Sequence, residues 1–153
     1  MCVVSSPIEE DGEFEVVSVR PIRDIFVCAP DYMEDKILTP DELLSKPLIM
    51  LERGTSSRQY VEGRLFGESA VVFTPDIELA TSELTLDFAA RGLGVACVVE
   101  DFALPYIARG ELRRVELTTP IPARQMLLVC IKDIPQGTAT SEFIELCKSL
   151  AKG

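Results

Sequence analysis

Two short runs of hydroxyl side chains, Thr55-Ser56-Ser57 and Thr81-Ser82, are the residues of this chain best suited to holding a small ligand. Each stands where a helical pattern begins. At such a point the first backbone N–H groups have no intrahelical partner and the helix dipole presents its positive end, so hydroxyls and amides together can hydrogen-bond a polar or anionic molecule. The same residues have a plainer use, since a Ser or Thr at the N-cap stabilises a helix by about 1 kcal/mol with no ligand present. Arg53 and Arg58 flank the first run. They could supply charge to a carboxylate, or simply be solvated arginines at the ends of elements.

Other chemistry is poorly provided for. The 153 residues include no histidine, which removes Ser-His-Asp and Cys-His nucleophilic machinery, the usual general base near neutral pH, and most zinc and iron sites. No catalytic residue, metal-ligand set or cofactor is expected. The five cysteines form no C-x-x-C pair; Cys28, Cys97 and Cys130 fall in apolar strand patterns and Cys147 on the apolar side of a helix, which reads as packed, reduced thiols. Gly92-Leu93-Gly94 ends a helix and opens a strand, the reverse of a nucleotide-binding glycine turn, and so reads as helix termination. With 25 acidic against 15 basic residues and a formal charge of −10, the chain itself is a poor partner for nucleic acid.

Positioning the hydroxyl runs requires strands that feed helices. Leu48–Leu51 is a buried strand pattern leading to Gly54–Ser57 and a helix over 56–66, with Tyr60, Val61 and Leu65 facing inward. Ser69–Thr74 is the next expected strand; the loop from Glu78 then leads to a helix capped at Thr81/Ser82, with Leu84 and Phe88 as its buried stripe. Gly92 suits a left-handed C′ position, and Val95–Val99 reads as a buried parallel strand. Earlier, Phe14–Val19 and Ile25–Ala29 are expected to pair as antiparallel strands, and Thr39, Pro40 and Glu42 together spell a helix start. Later come a helix over 101–108 with Pro105 near its first turn, a short strand over 113–117, a strong strand over 124–132, and a helix over 141–151 burying Phe143, Ile144, Cys147 and Leu150. The alternation predicts an α/β fold, a sheet flanked by helices.

The ordered set formed by Pro47–Arg58, Glu78–Glu100 with its Ala-x-Gly-Leu-Gly ending, and Arg124–Val129 resembles the effector-binding domain of LysR-type transcriptional regulators. The resemblance runs through nearly all of residues 3–150. It implies a Rossmann-like subdomain of the type II periplasmic-binding-protein-like fold with a mixed sheet, and it implies effector contacts from Thr55, Ser56, Ser57, Thr81 and Ser82, with Glu78 structural. It also implies a small-molecule effector, a homodimer or higher homo-oligomer in which the helix after the first turn lines part of the interface, and DNA contact only through a separate N-terminal domain. No winged helix-turn-helix, linker helix or opening strand–helix pairs of the first subdomain are recognisable here. The expectation is therefore a partial effector-binding domain: residues 1–24 crossover strands, 25–131 mainly the second subdomain, and 132–153 a C-terminal helix returning toward the first.

No apolar run is long enough to span a membrane, and Met1–Glu10 lacks the basic flank and apolar core of a secretory signal. A cytoplasmic location follows as the expectation. Two other readings share the fold: an enzyme using Thr55 or Ser56, which lacks an evident base, and an exported solute-binding protein.

Overall fold

The computed structural model describes residues 1–8, 12–65, 67, 74–132 and 135–150. The chain divides into two compact units, residues 23–122 and residues 1–22 with 123–153.

The first of these is built on a five-stranded sheet. Its strands are β3 (Asp24–Cys28), β4 (Leu48–Leu51), β5 (Ile77–Leu79), β6 (Val95–Val99) and β7 (Arg113–Val115), in the order β5-β4-β6-β3-β7. β4 runs parallel to both β5 and β6, whereas β3 is antiparallel to β6 and β7. Residues alternate between the two faces, as the two-residue period of a strand demands. Phe26, Cys28, Leu48, Met50, Val95 and Cys97 pack with Leu43 of α1 (Pro40–Leu44) and Val61 of α2 (Ser56–Leu65). Val27, Ile49, Ala96 and Val98 pack instead with Leu86 and Ala89 of α3 (Ser82–Ala90) and Ala103 of α4 (Glu100–Ala108). Burial on both faces explains why these strands read as continuous apolar runs, and burial also pushes the Cys28 thiol toward its unreactive protonated form.

Helix ends follow the residues that encode them. Thr39 and Glu42 form a reciprocal capping box with Pro40 in the first turn. Gly92, at φ +74, closes α3 in a Schellman arrangement: its N–H donates to Ala89 O at 2.9 Å, and that of Leu93 to Phe88 O at 3.2 Å. Gly94 serves a different need, because a Cβ there would lie 2.5 Å from the carbonyl oxygen of Pro47.

The other unit is a three-stranded antiparallel sheet of β1 (Cys2–Ser5), β8 (Arg124–Ile131) and β2 (Phe14–Ile22), ordered β1-β8-β2. α5 (Thr138–Leu150) lays Ile144 and Cys147 on Leu128 and Cys130.

Several expectations need correction. β2 and β3 do not pair with one another; they belong to different sheets, because β2 stays paired to β8 through Ile22 and β3 begins at Asp24, leaving one residue between them, too few for a hairpin turn. Strand 124–131 is paired to β1 and β2, and the two units part at 122/123. In α3 the buried residues are Thr85, Leu86 and Ala89, while Leu84 is 45% exposed. Pro105 lies inside α4, past its first turn. Phe143 of α5 is 40% exposed. The edge strand β5 occupies residues read as loop, and the strand expected over 69–74 lies, except for Thr74, outside the described residues. So do Phe66 and the side chain of Leu150.

Candidate effector-binding rim

Leu51 and Leu79, the last residues of β4 and β5, are partners in a parallel ladder. The chain therefore leaves two strands about 5 Å apart at the same edge of the sheet, and the Glu52 N–H ties the corners together by donating to Leu79 O at 3.1 Å. One corner turns into α2 and carries Thr55, Ser56 and Ser57; the other turns into α3 and carries Thr81 and Ser82. All five hydroxyl residues thus stand on one rim of one sheet. Ser56 and Thr81 are exposed, and Thr55, Ser57 and Ser82 are half-buried.

Both threonines also act as caps. The Thr55 hydroxyl donates to Glu52 O at 3.1 Å and accepts from the Arg58 N–H at 3.4 Å, while Gln59 N–H reaches Thr55 O at 3.0 Å. Thr81, in extended backbone with φ −130 and ψ 149, accepts from the Leu84 N–H at 3.3 Å. Capping and ligand contact are compatible, because a cap uses one of the several unpaired amides of a first helical turn.

A third helix begins on this rim, at a point the sequence marks with no capping side chain. β6 is parallel to β4, so α4 starts at the same edge. Its N-cap is Val99, with no side-chain cap, and its first turn carries Glu100 and Asp101. Glu100 also pairs with Arg114. The positive end of that helix is met by the protein's own carboxylates. α3 has one acid in its first turn, Glu83, whereas α2 has none. An incoming anion finds the least competition at Thr55–Ser57. α3 and α4 are joined behind the rim by Tyr106, whose hydroxyl donates to Asp87 Oδ1 at 2.8 Å, a bond that raises the phenol pKa.

Of the two arginines beside the first corner, Arg53 is exposed as the simpler reading expects. Arg58 is not: it is 1% exposed, ion-paired through Nε to Glu62 Oε1 and through a terminal nitrogen to Glu78 Oε1 at 3.4 Å, and it donates to Leu51 O at 3.0 Å. Through this pair Glu78 ties β5 to α2. The burial of Arg58 was missed; the one signal for it was Glu62, four residues along the same helix.

A mixed sheet between two helical layers, with a hydroxyl-bearing rim where parallel strands feed helices, defines a Rossmann-like binding module. The chain matches the LysR substrate binding domain over residues 1–152 and belongs to that family. It is 29% identical over 120 residues to the HTH-type transcriptional regulator CbbR of Xanthobacter flavus; that match covers 76% of this chain and 36% of the relative, so the chain spans about a third of that protein's length. Among solved structures, the regulatory domain of Synechocystis PCC6803 CcmR, in complex with 2-PG, superposes with a TM-score of 0.82 at 19% identity, covering 99% of this chain and 73% of that one. The MetR regulatory domain from Neisseria meningitidis gives 0.74 at 11% identity, covering 98% and 69%. The fold is the periplasmic-binding-protein-like fold of LysR regulatory domains. Among the described residues no helix is long and apolar enough to cross a membrane.

Proposed function

We propose that this chain is the ligand-sensing part of a LysR-type transcriptional regulator, and that its effector is a small polar or anionic metabolite held at the rim by Thr55, Ser56, Ser57, Thr81 and Ser82. Residues 23–122 are the half of the effector-binding domain that supplies this rim. Occupancy acts on the geometry of a homodimer or higher homo-oligomer, and through it on DNA held by a separate helix-turn-helix segment. Such a ligand works only by binding one arrangement more tightly than another.

The observation that carries the reading is the placement of both hydroxyl corners at the carboxyl ends of adjacent parallel strands. Within the rim the α2 corner is the stronger anion site, since its first turn has no acid of its own. The module works by binding and not by turnover: a hydroxyl nucleophile at Thr55 or Ser56 would need a base, and the chain has no histidine to serve. The CcmR regulatory domain, which shares this fold, was solved in complex with 2-PG, which makes 2-PG the first compound to try. A thermal-shift series with 2-PG, sulfate and simple organic acids tests the reading, because a ligand specific for the native state raises the melting temperature by mass action. Thr55→Ala is expected to abolish the best shift, and an unchanged shift would remove Thr55 from the site.

A further inference from the structure

We propose that Arg58 is a positioning residue that holds the two hydroxyl corners in register, so that effector affinity depends on a side chain no ligand reaches. The inference rests on the reading of the rim as the effector site.

Arg58 has an environment unusual for a cation. Its side chain is 0% exposed, and a buried charge is costly unless it is paired and hydrogen-bonded; an apolar residue of similar volume would fill the same space without that cost. What arginine offers instead is a planar fork able to reach several fixed acceptors at once. Here the acceptors belong to three elements. Leu51 O ends β4, Glu78 lies on β5 three residues before Thr81, and Glu62 lies one turn further along α2. The backbone N–H of the same residue donates to the Thr55 hydroxyl. Residue 58 therefore grips the first corner from the amide side, and from beneath it grips the strand that delivers the second. With the Glu52–Leu79 backbone bond above, this closes a loop of contacts around both corners. A shift of β5 relative to β4 would have to break the Arg58–Glu78 pair.

The test uses the full chain and two variants. Glu78→Gln removes the charge from a partner whose side chain is 39% exposed, a change that does not threaten the core. Arg58→Lys keeps the cation but loses the fork. Amide hydrogen exchange without ligand should quicken by about tenfold in both variants at residues 53–57 as well as 79–83, while β8 and α4 stay unchanged. Unchanged exchange at 53–57 in Glu78→Gln would overturn the proposal, since that corner is untouched by the substitution itself.

Titration with 2-PG supplies the readout that mere structural support would not move. Both variants should weaken 2-PG by about tenfold or more, and a variant with loosened corners and wild-type affinity for 2-PG would overturn the positioning role. If the wild-type chain binds no 2-PG, that choice of effector fails, and the exchange comparison alone decides whether Arg58 couples the corners.

Discussion

Leu51 and Leu79 face one another across the parallel ladder between β4 and β5, and this pairing brings residues 55–57 and 81–82, far apart in sequence, to neighbouring corners. Parallel pairing is what brings the two turns to one rim, since antiparallel strands would have sent them to opposite edges. The threonines that open α2 and α3 can be tested separately as caps. Thr55→Ala and Thr81→Ala should each lower unfolding free energy by about 1 kcal/mol in urea titrations, with only Thr55→Ala abolishing the best ligand shift. Equal loss of ligand response from both would mean that the α2 corner is not the stronger of the two.

Gly94 marks a close approach of backbone to backbone. Alanine there would set its Cβ 2.5 Å from Pro47 O, beside the hydrogen bond by which Val95 N–H reaches that oxygen at 2.9 Å. Gly94→Ala should destabilise the chain by about 1–3 kcal/mol, the range for overpacking a closed space. Gly92→Ala, where the difficulty is φ +74 and no atom lies close, should cost about 1–2 kcal/mol. Urea denaturation of each variant against the parent chain measures the two costs, and an unchanged midpoint for either would remove that glycine's stated role.

The capping box of α1 gives a pH dependence with a definite sign. The bond from Lys36 Nζ and then the bond from the Thr39 N–H hold the Glu42 carboxyl down from its ordinary 4.5 to about 2. Between those values the unfolded chain binds more protons than the folded one. The stabilisation is therefore fully present above about pH 4.5 and is lost as pH falls toward 2. An NMR titration of the Glu42 side chain should show a midpoint near 2, with the α1 amides exchanging faster below it; a midpoint near 4.5 would mean that the box is open in solution.

Arg113 acts as a clasp at the opposite edge of the sheet from the rim. Its guanidinium donates to the carbonyl oxygens of Pro30, Met33 and Glu34 at 3.2, 2.6 and 3.1 Å, and to Asp35 at 3.2 Å. A single ammonium cannot satisfy acceptors in so many directions. Arg113→Lys should therefore raise proteolytic cleavage within residues 30–35 and lower stability by about 1–2 kcal/mol, while leaving ligand shifts at the rim intact.

How much of this was written legibly in the sequence depends on whether the deciding contact was local. The capping box at Thr39–Glu42, the left-handed Gly92 and the apolar runs of β4 and β6 were all readable, because each is fixed within a few residues or by burial on both faces. The hydroxyl corners were readable as helix starts, and their shared rim followed once the strands were taken as parallel. β5 was not readable: three residues with Glu78 in the middle carry no apolar run, since an edge strand is covered on one side only. The separation of β2 from β3 was equally hidden, because nothing between residues 20 and 24 distinguishes a crossover from a connection within one sheet. In α3 the expected stripe was wrong at Leu84, which is 45% exposed, while Phe88 does pack against the core; the residues buried beside it are Leu86 and the small Thr85 and Ala89, which allow close contact with the sheet. Arg58 was missed because its burial is created by Leu51 and Glu78, distant in sequence.

The most direct measurement is a map of backbone amide chemical shifts on adding 2-PG or the best anion from the thermal series. The largest changes are predicted at residues 54–58, with smaller ones at 80–83, and little change along Pro47, Gly94 and residues 29–35 at the other edge of the sheet. Changes centred on that other edge, or changes at 54–58 that persist unaltered in Thr55→Ala, would contradict the rim as the place where this chain meets its effector.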